Sequence, residues 1–331
     1  MLLTVLIATV GRAKSLRETL DSLFVPGNLT EPDWEALVVV NSASDGDSLR
    51  VCQDFGARYP DRFRFLVRPQ PGKSRALNLG LAQARGELVA MTDDDVICSP
   101  HYVAAAVDVF RRYPADAVQG RVLMNWIGGQ PEWLAPKQAT ELSSWDFGDE
   151  VIPYQLGLTG CNMVVRADVA RKIGGFAVEL GPGAAGQNED TEFSQRLREA
   201  GYRQIYAPAV LVHHQMPRAR ATPAMLRKRS VVRGRSMAYY RSPPERLARL
   251  TQWHLRDCLS LEMRALWLAL RGERARALKL QCQSRETIGL FRQYWLFRMG
   301  RPRTLTYELT EQTAAAVAPT PNEAKASLAR P

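Results

Sequence analysis

Met91-Thr92-Asp93-Asp94-Asp95-Val96 places three carboxylates side by side, with no nearby run of Lys or Arg to neutralise them. Adjacent acids repel one another. A hard divalent cation bound through oxygen relieves that repulsion and can hold a phosphorylated ligand. The plain alternative is a solvated acidic turn, or acids capping the next helix. Glu189-Asp190 opens a helical pattern reaching about Ala200, with Phe193 and Leu197 inward and Gly201 at its stop. Acids in a first helical turn satisfy free amides and the dipole whatever else they do. The same position favours the ionised carboxylate that a general base needs. His213-His214 close an apolar strand pattern over residues 202–212, broken at Pro208, in a chain with four histidines. Imidazole is a competent metal ligand.

The elements that position these groups alternate. Apolar runs at residues 2–8, 36–40, 63–67 and 87–91 read as strands. Between them lie helical patterns at 15–24, with Ser15 and Glu18 as a capping box, at 49–59 and at 75–84. Such alternation predicts a mostly parallel, right-handed α/β sheet, whose ligands lie beyond the carboxyl ends of its strands. Thr9 to Arg12, Asn41 to Asp47 and Asp93 to Asp95 then open onto one edge. Gly72-Lys73-Ser74, at a helix start, offers amides and a cation for phosphate, or simply a surface lysine. Neither GxxxxGK[ST] nor GxGxxG occurs, which excludes a P-loop and a dinucleotide fingerprint. Trp126, Trp133 and Trp145 sit in a Pro-containing stretch that suits an acceptor site or buried packing.

The formal net charge of +10 is concentrated. From Arg218 to Arg303 there are 21 Lys/Arg against 5 Asp/Glu. Leu255, Leu259, Met263, Leu266 and Leu270 form a stripe at helical spacing in that segment. It reads either as helices packed on the α/β part or as a basic amphipathic segment on an anionic membrane surface. Nucleic-acid binding ranks lower, since no nucleic-acid module is recognisable. The five cysteines show no zinc spacing, which favours reduced thiols and a cytoplasmic location, with the inner face of the cell membrane as a peripheral site. No apolar run is long enough for a bilayer span, and residues 1–10 read as a strand, not a signal peptide. The expected division is an α/β domain over 1–222 with halves 1–118 and 119–222, then 223–303 basic and helical, and 304–331 a disordered tail.

In order along the chain come Val5-Leu6-Ile7-Ala8-Thr9-Val10-Gly11-Arg12, then Val38-Val39-Val40-Asn41-Ser42-Ala43-Ser44-Asp45-Gly46, then Gly72-Lys73-Ser74-Arg75-Ala76-Leu77-Asn78. Ala84-Arg85-Gly86-Glu87 runs into the three aspartates, and Gly174-Gly175-Phe176, Glu189-Asp190, Ala200-Gly201-Tyr202 and His214 follow. This ordered set, over residues 1–235, resembles the family 2 glycosyltransferases. The resemblance implies an α/β fold of the GT-A type: a mostly parallel, mixed nucleotide-sugar-binding sheet flanked by helices, with a C-terminal helical segment. It implies inverting transfer of one sugar from a nucleotide-sugar donor to a hydroxyl of a glycan or lipid-linked acceptor, in cell-surface polysaccharide synthesis. Asp93 and Asp95 become the outer residues of a DxD element for Mn²⁺ or Mg²⁺, with Asp94 in its variable middle on the donor side. Asp190 becomes the catalytic base, Glu189 its neighbour, and His214 a further ligand at the metal and diphosphate. Thr9, Arg12, Asn41 and Lys73 fall in the donor pocket. Two departures stand out. Val40 replaces an acid that commonly contacts the base, and Arg233-Gly234-Arg235-Ser236 stands where processive synthases carry QxxRW. Single transfer, not polymerisation, is therefore expected. The rival readings are a nucleotidyltransferase acting on a sugar phosphate and a non-catalytic basic protein.

Overall fold

The computed structural model describes residues 1–31, 33–134, 144–241 and 247–309, the side chains of 247–255 excepted. Strands β1 (Leu3–Thr9), β2 (Trp34–Val40), β3 (Phe63–Val67) and β4 (Leu88–Thr92) lie parallel in the order β3-β2-β1-β4. All seven residues of β2 are buried, as a strand covered on both faces requires. Alternation along β1 sends Leu3, Val5 and Ile7 to one core and Leu6 to the other. The first core is closed by α1 (Ala13–Leu23), the short α2 (Pro26–Leu29), α3 (Gly46–Arg58) and α5 (Tyr102–Arg112). The second is closed by α4 (Lys73–Gln83), α6 (Ala167–Lys172) and α7 (Glu189–Glu199).

The sheet then turns antiparallel. β8 (Asn162–Arg166) pairs with β4 and with β6 (Ala117–Ile127), and β9 (Gln204–Pro217) runs parallel to β6. Two short strands, β5 (Val96–Cys98) and β7 (Ile152–Pro153), add antiparallel to β9. The mixed sheet expected from the sequence is present, with two differences in detail. Helix α1 starts at Ala13, so Ser15 caps nothing; Arg12 holds the cap position and its carbonyl accepts from the Leu16 amide at 2.9 Å. Strand β9 does not end at its histidines but continues to Pro217, because the Pro208 break is absorbed by a bulge. Gly120 pairs with Ala207, and the next residue, Arg121, with Leu211.

Beyond β9 come α8 (Pro223–Met237), α9 (Leu247–Leu270) and α10 (Arg274–Arg298). Helices α8 and α10 cross at two glycines. A Cβ on Gly234 would collide with the Glu286 carbonyl, and one on Gly289 with that of Val231. Only hydrogen side chains allow backbones to approach so closely. Trp126 and Trp133 pack with Leu226, Leu278 and Cys282 in the cluster that seats these helices. Residues 304–309, expected to begin a disordered tail, lie on the α/β core instead. The Tyr307 hydroxyl donates to Glu192 at 2.9 Å and its backbone bridges Ala177. The rest of that tail is outside the described residues. All five cysteines are free. Among the described residues no helix is long and apolar enough to cross a membrane.

Candidate active site

Thr9, Arg12, Asn41, Lys73, Asp93, Asp94, Asp95, Glu189, Asp190 and His214 all line one cleft of 690 Å³ at the strand ends. The mutual repulsion of the three adjacent carboxylates is offset by cations, with Arg12 shared between Asp94 and Asp95 and Lys73 on Asp93. Asp94 points back, accepting from the Thr9 hydroxyl at 2.7 Å and from Arg12 Nη1 at 3.0 Å. Burial still pushes it up to about 6, against the pull of Arg12 and Thr9. Asp93 accepts from Lys73 Nζ at 2.7 Å. Asp95 lies 2.7 Å from Arg12 Nη1, 3.6 Å from Arg220 Nη1 and 3.3 Å from His214 Nε2. Burial opposes its charge, but the hydrogen bond and charge of His214, with Arg12 and Arg220, bring it down to about 2.

The backbone sets these meetings. Val96 pairs with His214 across β5 and β9, and the Gln215 amide donates to the Asp95 carbonyl at 2.8 Å. Strand alternation buries His214 beside Asp95 and sends His213 to the other face. The histidine pair of the sequence is thus one buried site residue and one neighbour pointing away.

Across the cleft, α7 opens with Glu189 and Asp190. Asn188 holds the cap position in the left-handed region, φ 71°, which asparagine tolerates better than most residues. Asp190 Oδ2 accepts from the Gly160 amide at 2.8 Å and Oδ1 from the Thr191 amide at 2.7 Å. Glu189 is buried 3.5 Å from Lys73 Nζ. Burial raises it to about 7, with Lys73 opposing and Asp190 adding to the rise. Burial also works against the charge of Lys73, but Asp93 and Glu189 hold its pKa well above the usual lysine value. The Asn41 carboxamide oxygen is buried without a partner among the described residues.

Arg220, Arg229 and Arg233 also line the cleft, and none was singled out as a site residue from the sequence. Arg229 and Arg233 stand on α8, so the helix expected to open a separate basic segment is a wall of the site. Their signal was their place, within twenty residues after His214 in the Arg-rich run. Of the three tryptophans, only Trp145 reaches the cleft.

Asp95 and His214 offer an oxygen and a nitrogen side by side, and His214 Nδ1 is buried without a partner. No three His, Cys, Asp or Glu among the described residues are placed to hold a metal by themselves. Two protein ligands suit a Mg²⁺- or Mn²⁺-type ion that takes its remaining oxygens from a bound phosphate. The residues therefore fit such an ion. Asp93 is engaged by Lys73 in this arrangement.

The fold is that of the GT-A glycosyltransferases. A mannosyltransferase from Pyrobaculum calidifontis, solved with GDP-Man and Mn²⁺, superposes with a TM-score of 0.51 at 18% identity, over 98% of this chain and 78% of its own. GalNAc-T7 with UDP, GalNAc and Mn²⁺ gives 0.52 at 13%, over 70% and 47%. Residues 2–233 match the model described as Glycosyltransferase like family 2, and the chain belongs to that family. The succinoglycan biosynthesis protein ExoM of Rhizobium meliloti is 27% identical over 66% of this chain and 68% of its own. The glucosyl-dolichyl phosphate glucuronosyltransferase of Haloferax volcanii is 27% identical over 63% and 66%. The chain thus matches about two thirds of the length of these relatives. It is a glycosyltransferase, which sets aside the nucleotidyltransferase and the non-catalytic protein.

Proposed function

We propose that this enzyme moves one sugar from a nucleotide-sugar donor to a hydroxyl of a glycan or lipid-linked acceptor, inverting the anomeric centre. The observation that carries this reading is the opposition, within one cleft, of Asp190 to the cation-paired Asp93-Asp94-Asp95 and His214. Asp190 accepts the proton of the acceptor hydroxyl as that oxygen attacks the anomeric carbon, and the bond to the diphosphate breaks on the opposite face. One displacement needs one base; a hydrolase would flank the bond with a pair of carboxylates. Two backbone donors hold the Asp190 carboxylate in place. Arg12, Lys73 and Arg220 offset the charge that grows on the departing diphosphate, so no protonated side chain is needed there. Asp95 and His214 would hold Mn²⁺ or Mg²⁺, with Asp93 at the donor side. When bound, the metal supplies Lewis-acid stabilisation of the leaving group. Thr9 and Asn41 complete the donor pocket, and the unpaired Asn41 oxygen is suited to an N–H of the base.

The names of the two relatives support cell-surface polysaccharide synthesis and an acceptor carried on a lipid phosphate. Both suit a cytoplasmic enzyme working at the inner face of the membrane. The test is a thermal-shift panel of UDP-, GDP- and dTDP-sugars with and without Mn²⁺ or Mg²⁺. Stabilisation by one donor class, only with metal, is the expected result. Equal stabilisation without metal would remove Asp95 and His214 from the ligand role.

A further inference from the structure

Leu259, Met263, Leu266, Trp267 and Leu270 of α9 are 66%, 59%, 54%, 55% and 80% exposed. The adjoining side of the helix, about 100° around from the stripe, is spent on α10, where Ala265 is fully buried, Cys258 Sγ meets the Ser284 carbonyl and Glu262 pairs with Arg285. The first stripe member, Leu255, lies outside the residues whose side chains are described. Five large apolar groups on one outer face form a patch of the kind that soluble surfaces rarely keep. We propose that this face of α9 is a membrane-docking surface that lies in the interfacial plane of an anionic bilayer.

Charge selects that occupant. Arg264 and Arg271 flank the stripe, and Arg271 stacks on Trp267 at 4.6 Å. The surrounding segment carries 21 Lys/Arg against 5 Asp/Glu. Three of those acids are already paired: Glu262 with Arg285, Glu273 with Arg271 and Arg276, and Glu286 with Arg233. A second copy would bring the same positive excess against itself. A nucleic acid would leave the leucines unmatched. An anionic lipid surface satisfies both, with arginine heads at the phosphates and leucine and tryptophan sunk to the acyl boundary. The charges within α9 keep it on the surface and not across it. The glycine crossing of α8 and α10 then fixes the cleft at a set angle to the membrane.

The proposal does not depend on the transfer reaction, and its test uses binding alone. The full-length enzyme is sedimented with vesicles of phosphatidylcholine, with and without phosphatidylglycerol. Partition onto the anionic vesicles is expected to exceed that onto neutral ones at least about tenfold, and to fall about tenfold in Leu259→Glu/Leu266→Glu/Leu270→Glu. The variant's circular dichroism and donor-induced thermal shift should be unchanged. If the triple variant does not fold, Trp267→Phe carries the test: brominated lipid should quench native fluorescence and quench that variant measurably less. Equal partition of native and triple variant, or equal quenching of native and Trp267→Phe, would overturn the proposal. So would a native dimer in analytical ultracentrifugation that the triple variant loses, because the face would then belong to a second copy.

Discussion

The Gly160 amide donates to the Asp190 carboxylate at 2.8 Å, joining the turn before β8 to the first turn of α7. With the Thr191 amide on the other oxygen, the backbone fixes the carboxylate and leaves lone pairs free toward the cleft. Replacing Asp190 by Asn should therefore lower transfer by about 10²–10⁴-fold while the donor-induced thermal shift persists. Near-normal turnover in that variant would take the base role from Asp190.

His214 and Asp95 meet at 3.3 Å although 119 residues separate them. His214→Ala and chelation by EDTA should act alike, each abolishing the metal-dependent part of donor binding in calorimetry. Loss of that part with EDTA but not with His214→Ala would leave Asp95 and other groups to hold the ion.

Glu189 gives a pH signature. Its carboxyl in the folded protein, near 7, lies above the ordinary glutamate value of 4.5, so folding favours the protonated form. The stability this contributes is complete below pH 4.5 and is lost as pH rises through 7. Between pH 5 and 8 the native enzyme should lose stability relative to Glu189→Gln, on the order of 2 kcal/mol. Urea midpoints of the two proteins at both pH values measure the difference, and parallel pH curves would contradict it.

The helix crossing makes a prediction about stability alone. Gly289→Ala forces a methyl onto the Val231 carbonyl, so α8 and α10 must separate. The cost should be about 1–3 kcal/mol, read as a fall of several degrees in Tm. An unchanged Tm would mean that the crossing is looser than this structure shows.

The site was legible in the sequence as strings: three aspartates after an apolar run, Glu-Asp at a helix start, His-His in a strand. What brings them together was not. The cations that stabilise Asp93, Asp94 and Asp95 come from Arg12, Lys73 and Arg220, and no local pattern announces such pairings. Strand β5 has three residues, too few for any periodicity, yet it sets Asp95 beside His214. The α9 stripe shows the other limit. Spacing reveals that a face exists, but its environment depends on which side of the helix its neighbour α10 occupies. Val40 is a further case. It is fully buried in β2, so the position fits the core with no acid there.

Asn188 joins two jobs in one residue. Its left-handed backbone starts α7, while its side-chain amide donates to the Tyr240 hydroxyl at 3.0 Å and to the Arg233 carbonyl of α8 at 3.4 Å. The start of α7, two residues before Asp190, is thereby tied to α8 and the turn that follows it. Any displacement of α8 must therefore stretch or break the bonds that anchor the first turn of α7, so the two helices cannot shift independently at this point.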